Sequence, residues 1–313
     1  MASSSPPPPP VDRNRRTVLA LFGPTAAGKT ALAGLLRERL HGEVVSADSA
    51  ALYQGLPVLT AAPPYPARLV GVVPLDRDVS LGEYQRWAHE AIDDVLAQGC
   101  TPIVVGGTGL YLRAALSSLE LPPAPAPGER RRWQDTYDRI GPAAAHALLA
   151  DADPPAAARV HPNDRRRVVR ALELASAGRS LAPERDRLWS DDTRLPTRIV
   201  ALDLPLDELD RRIDERTRAM AAAGAAEEAR RAWAQPLSAT ARKVLGLEEF
   251  ATLPAVEAID AVAAATRRLA RYQRKWLRRL PAAVTLDGDR PLEELADAVV
   301  SLERAGERLP RRR

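Results

Sequence analysis

An α/β fold, a parallel sheet with helices on both faces and a helical insertion, is what the sequence predicts, on three observations. The first is Gly23-Pro-Thr-Ala-Ala-Gly-Lys-Thr30, which fits G-x-x-x-x-G-K-[ST] between the apolar run Val18–Phe22 and a helix-forming stretch, Ala31–Leu40. The second is an alternation of short apolar runs with longer helical stretches, the pattern of a parallel sheet. The third is a change of composition at Leu121-Pro-Pro-Ala-Pro-Ala-Pro127, a stiff linker, after which residues 128 to about 180 are Arg-rich, helical and without a clear strand.

The elements follow in chain order. Residues 1–16 are Ser- and Pro-rich, lack an apolar segment, and read as a disordered tail rather than a secretory signal. Val18–Phe22 is a buried strand, and Glu43–Ala47 a second strand ending at Asp48. Leu81–Gln98 is a helix, and Pro102–Gly106 another buried strand leading into Gly107-Thr-Gly-Leu-Tyr111. Strand character returns at Arg198–Asp203, helices run to about Leu280, and Ala283–Asp287 is a last strand before a C-terminal helix. The sheet is thus of the P-loop NTPase-like kind, with its core over 17–117 and 198–313 and a helical insertion over 118–197. Ligands of such sheets bind at the carboxyl ends of the strands. The phosphate loop, Asp48 and Thr108 all fall at such ends.

Composition narrows the classes. At 313 residues with 45% hydrophobic content, the chain can bury a sizeable core in one large domain or two smaller ones. No apolar run approaches ~20 residues, so no membrane span and no membrane partner are expected. A single cysteine, Cys100, excludes an internal disulfide, and the four histidines show no ligand spacing. A cytoplasmic monomer without a built-in metal cage is the expectation. Net charge is only +4, yet the basic residues are almost all arginine, with lysine at 29, 243 and 275 alone. Arginines cluster at Arg130–Arg132, at Arg165–Arg167 with Arg170, and along Arg267–Arg279. Such clusters suit either phosphate recognition or plain solvation. In the helix from about Val256 to Arg279, Arg267, Arg271, Arg274 and Arg278 share one narrow sector, with Leu269, Tyr272, Trp276 and Leu280 roughly opposite. The apolar stripe is expected on the core and the Arg stripe facing outward or into a cleft, with little acidic compensation.

The glycines of the loop let backbone N–H groups turn toward a phosphate, and the helix N-terminus adds its positive end. Gly23, Thr25, Ala26, Ala27, Gly28, Lys29 and Thr30 form the cradle; Lys29 supplies a point charge, and Thr30 can hold Mg²⁺. Asp48 reads as a base, a Mg²⁺ ligand or a helix cap. Thr108 reads as a stabiliser of leaving-group charge or an ordinary N-cap.

Taken in order, Gly23–Thr30, Ser46-Ala-Asp-Ser49 with Tyr53, Gly106–Tyr111, Asn163–Glu173, Arg212-Ile-Asp-Glu-Arg216, Met220 and Tyr272-Gln-Arg-Lys-Trp276 resemble the tRNA dimethylallyltransferases, from about residue 17 to 288. The resemblance implies transfer of a dimethylallyl group from dimethylallyl diphosphate to N6 of the adenosine just 3′ of a tRNA anticodon. It implies that the loop holds the prenyl diphosphate and that Asp48 takes the N6 proton. Lys29, Thr108 and Arg216 would stabilise the leaving diphosphate, with Mg²⁺ near Thr30. The adenosine would be flipped out of its loop to reach the crevice. The resemblance further assigns tRNA contacts to Asp48, Ser49, Ala50, Ala51, Thr108, Arg130, Arg166, Arg170, Lys243 and Arg274. Arg166 and Arg170, four apart, would share one helix face.

Departures from the family pattern fall after Asp48. The usual Asp-Ser-x-Gln-x-Tyr-Arg reads Asp48-Ser-Ala-Ala-Leu-Tyr-Gln54, so the amide that helps read the base is Ala51 and the Arg is Gln54. Gly-Thr-Ala-Lys-Pro reads Leu59-Thr-Ala-Ala-Pro63, and Pro-His-His-Leu reads Pro66-Ala-Arg-Leu69. Loss of an amide–base pairing removes ~1–3 kcal/mol of discrimination. Arg68 is the candidate to replace a lost contact. Three other readings stand beside tRNA prenylation: prenyl transfer to a free adenine nucleotide, an ATP-dependent small-molecule kinase, and a tRNA-binding protein without turnover.

Overall fold

The structure, a computed structural model, describes residues 17–121, 128–182, 192–280 and 283–305. The expected N-terminal tail and residues 122–127 of the proline linker lie outside the described residues. Six strands form one sheet: β1 (Val18–Phe22), β2 (Gly42–Ser46), β3 (Ala67–Arg68), β4 (Thr101–Gly106), β5 (Thr197–Asp203) and β6 (Ala283–Asp287). Their order is β3-β2-β4-β1-β5-β6 and every pairing is parallel. β1 lies between β4 and β5, pairing Leu19 with Ile103 and with Arg198. All five of its residues are buried, which is why its sequence is apolar without alternation. The two-residue β3 has no signature in the sequence; it exists through its pairing to Val44 and Val45.

Helices α1 (Lys29–Arg39), α2 (Leu81–Ala97) and α3 (Gly109–Leu116) follow β1, precede β4 and follow β4 respectively. α1 starts two residues earlier than its apolar pattern does, because Gly28, at φ 88°, turns the chain directly into it. α2 starts at a reciprocal Ser80–Glu83 capping box. The helical unit contains α4 (Glu129–Ile140), α5 (Pro142–Ala152), α6 (Pro154–Ala157) and α7 (Arg165–Ser176). Then come α8 (Leu206–Ala222), α9 (Ala225–Trp233), α10 (Leu247–Thr252), α11 (Ala255–Leu277) and α12 (Leu292–Ala305).

The chain divides into two compact units, one up to Ser118 and again from Asp191, the other Leu119–Ser190. The chain is already tied to the sheet unit before β5 begins: Arg194 N–H donates to Leu116 O at 2.7 Å, its guanidinium pairs with Asp93, and Val18 N–H donates to Pro196 O. In the sheet unit Leu19, Leu21, Leu32, Leu36, Val200 and Leu202 form a dry core. The helical unit has its own around Tyr137, Leu149, Val168 and Leu172.

α11 corrects the sequence reading. Its buried positions are Ala258, Val262, Ala263, Ala270 and Gln273, whereas Tyr272, expected on the core stripe, is 54% exposed. The Arg stripe is not uncompensated. Arg267 pairs with Asp214, Arg271 with Asp210 at 2.7 Å, and Arg274 with both oxygens of Asp203 at 2.7 and 2.8 Å. The acids come from α8 and the end of β5, so inspection of α11 alone misses them.

Candidate active site

The site lies in the sheet unit, at the carboxyl ends of β1, β2 and β4. Gly23 is obligatory for close approach: a Cβ there would sit 2.5 Å from Leu202 O. Ala26 is held in the left-handed region at φ 65°. Lys29 is half-buried, with its ammonium turned inward to donate to Pro24 O at 2.6 Å. Burial first, then repulsion from Arg216, lowers its pKa from 10.5 to about 7, against an opposing pull from Asp48. Arg216, from α8, donates from Nη1 to the Thr25 hydroxyl at 2.9 Å. Burial pushes its pKa down and Asp48 pulls it back up; a guanidinium remains charged throughout.

Asp48 lies beyond β2 on an exposed turn, where Oδ1 accepts from Ala50 N at 2.9 Å. Its charge acts on Lys29, Arg216 and Tyr84 together, which sets it among the cationic groups. The turn is anchored from below. Ala47 N–H donates to Val105 O at 2.7 Å, and a Cβ on Gly106 would come within 2.6 Å of Ala47 O. Tyr84, fully buried, donates to Ser46 O at 3.0 Å. Burial, then Tyr111, then Asp48 hold its phenol well above its usual pKa, so it stays protonated. Thr108 occupies the N-cap position of α3, yet its side chain makes no capping hydrogen bond. Its ordinary capping role is therefore not what this structure displays.

Two residues of the site, named in the sequence within the Tyr272–Trp276 motif, had no site role assigned to them there. Gln273 is buried and its Oε1 accepts from Thr25 N at 2.7 Å. Trp276 lies against Gly109, where a Cβ would fall 1.9 Å from the ring. Their signal was an uncharged polar residue three before a tryptophan in an Arg-rich helix.

The residues assigned to tRNA are distributed differently from expectation. Ser49 and Ala50 are half-buried beside Asp48, while Ala51 is 7% exposed and its carbonyl accepts from Gly71 N. Arg68, the candidate to replace a lost contact, pairs with Glu43 at 2.9 Å and Asp94 at 3.3 Å. Arg274 is bound bidentately by Asp203. Lys243 is exposed at the end of a short 3₁₀ turn, Ala241–Lys243. In the helical unit, Arg130 and Arg170 both grip Glu173, whose side chain is fully buried. Arg166, on the same helix as Arg170, is exposed.

Among the described residues no group of three or more His, Cys, Asp or Glu could hold a metal ion, and no helix is long and apolar enough to cross a membrane. Mg²⁺ commonly keeps several waters and is held by one or two protein oxygens plus substrate phosphates. The exposed Thr30 at the start of α1 suits that mode.

The model of the IPP transferase family matches residues 51–280. The tRNA dimethylallyltransferase of Anaeromyxobacter dehalogenans (strain 2CP-C) is 44% identical over 269 residues, covering 82% of this chain and 90% of that protein. That of Thermomicrobium roseum is 40% identical over 309 residues, 91% of each. Among solved structures, the full-length tRNA isopentenylpyrophosphate transferase of Bacillus halodurans superposes with a TM-score of 0.67 at 27% identity, covering 93% of this chain and 96% of that one. A eukaryotic dimethylallyltransferase acting on tRNA shares the fold, with a TM-score of 0.72 at 23% identity over 95% of this chain and 81% of that one. A family match across both units, and relatives this similar over most of their length, lead to one conclusion: the chain belongs to the IPP transferase family, a family of transferases.

Proposed function

We propose that the chain transfers the dimethylallyl group of dimethylallyl diphosphate to N6 of the adenosine 3′ of the anticodon in tRNA. The observation that carries this reading is the convergence of Lys29, the Arg216–Thr25 contact, the Thr108 turn and Asp48 at neighbouring strand ends. That arrangement offers cationic and hydroxyl donors for a diphosphate and a carboxylate beside them.

In this reading the N6 amine attacks the allylic carbon while its bond to the diphosphate oxygen breaks, the electron pair leaving with the diphosphate. Asp48 accepts the N6 proton, turning a poor nucleophile into a competent one. Lys29, Arg216 and the Thr108 hydroxyl would meet the departing diphosphate and stabilise charge as it develops. Thr30 would hold a Mg²⁺ brought with the donor, which when bound neutralises diphosphate charge. The adenosine must leave its stack to reach Asp48. Arg130, Arg166, Arg170 and Lys243 supply charge for the tRNA backbone, so binding weakens with salt. A cytoplasmic monomer fits a tRNA substrate and a donor site built from one chain. Neither a kinase nor a free-nucleotide prenyltransferase is supported by the relatives.

The test is incubation of the folded enzyme with labelled dimethylallyl diphosphate and tRNA carrying adenosine at that position. Label recovered in that nucleoside is the expected result, and its absence sinks the reading.

A further inference from the structure

Gln273 takes no part in the scheme above, yet it is 5% exposed and its amide is spent on the donor site. Three residues earlier on α11, Ala270 is buried and apolar. On packing grounds position 273 suits an apolar side chain too, because a buried amide costs free energy unless its polar ends are satisfied. Here Oε1 is hydrogen-bonded, and the Nε2 end packs against a second element. Oε1 accepts from Thr25 N in the phosphate loop at 2.7 Å. Nε2 lies over the Gly107 turn so closely that a Cβ at 107 would be 2.5 Å from it, and 3.2 Å from Gly23 O. Thr25 is also the residue whose hydroxyl receives Arg216. α11 itself is fixed at this point by the bidentate Arg274–Asp203 pair and by Trp276 over Gly109.

We infer that Gln273 is a positioning residue for the donor diphosphate. Its amide spans the phosphate loop and the Gly107–Thr108 turn, holding them at one separation so that Lys29, Arg216 and Thr108 meet the same diphosphate. Residues 107 and 109 are glycine because the chain must lie directly under Gln273 and Trp276. The inference rests on the donor-site reading and adds to it the residue that sets the spacing.

Gln273→Met keeps side-chain length and removes both polar ends. The full chain and the variant are titrated with inorganic pyrophosphate by calorimetry, and KM is measured separately for dimethylallyl diphosphate and for tRNA. The expected result is roughly tenfold weaker pyrophosphate binding and a donor KM raised to match, the scale of one lost hydrogen bond. The tRNA KM stays within about twofold. Unchanged donor binding, or an equal rise in both KM values, overturns the inference. If Met at 273 prevents folding, Gly107→Ala tests it from the other side, because the added methyl displaces the amide and leaves α11 unaltered. Unchanged pyrophosphate affinity in that variant also overturns it. A wild-type chain that neither binds pyrophosphate nor prenylates tRNA overturns the donor-site reading itself, and is recognised without any variant.

Discussion

Lys29 has a titration that can be followed directly. Its ammonium is turned onto Pro24 O, repelled by Arg216 and partly compensated by Asp48, and its pKa falls from 10.5 to about 7. At about pH 8, one unit above that value, roughly a tenth of the free enzyme carries the charge. A diphosphate in the loop favours the charged form, so binding must return the proton. If the bound pKa regains its ordinary value, the complex takes up ~0.9 proton at that pH. Donor affinity then falls roughly tenfold per pH unit above about 7 and is flat below it, as far as Lys29 is concerned. For the free protein the sign is opposite. Between about 7 and 10.5 the unfolded chain holds the proton and the folded chain has lost it, so stability rises with pH through that window.

The assay is calorimetric titration with pyrophosphate at about pH 8 in two buffers of different ionisation enthalpy, for wild type and for Lys29→Met. Protonation of the ligand itself is common to both and cancels. Wild type should take up close to one proton more than the variant. Equal uptake, or a difference in affinity between the two that does not change between about pH 7 and 9, refutes the placement of a neutralised lysine in this loop.

Other consequences are simpler to test. Asp48→Ala should abolish turnover while tRNA affinity stays within about twofold, and unchanged turnover would reject the base role. Gly109→Ala drives a methyl to 1.9 Å from Trp276 and should cost about 1–3 kcal/mol in denaturant unfolding. Glu173→Ala releases Arg130 and Arg170 from a buried carboxylate; the helical unit should lose about 1–3 kcal/mol, and KM should rise for tRNA but not for the prenyl donor.

What the sequence made legible was local. The phosphate loop is a contiguous motif whose geometry follows from Gly23 and Gly28, and β1, β2, β4 and β5 are short runs with buried centres or ends, while the edge strand β6 was legible from its residue types although none of its residues is buried. Asp48 and Thr108 could be placed because both follow such runs. The illegible parts depend on partners distant in sequence. Gln273 meets Thr25 across 248 residues, and Asp203 meets Arg274 across 71. Periodicity shows which residues share a helix face, but not what the face meets. For that reason the Arg stripe of α11 read as a face with little acidic compensation when it is a seam to α8 and β5.

The same distinction decides how to weigh the departures after Asp48. The backbone of that segment is secured by its own hydrogen bonds: Gly71 N to Ala51 O, Val72 and Val73 N to Leu52 O, and Gln54 N to Val73 O. Further along, both oxygens of buried Glu228 accept from Val58 and Leu59 N, at 3.0 and 2.8 Å. None of these bonds uses a side chain at 51, 54 or 62, the positions where the family pattern is lost. The substitutions therefore leave the scaffold of the segment standing and change only what it presents. Ala51, buried as a methyl, has no polar group to offer a base, and Arg68 is held by Glu43 and Asp94. Losing side-chain contacts on a retained backbone should weaken discrimination among acceptor bases and leave donor binding intact, which turnover on tRNAs carrying other bases 3′ of the anticodon would check.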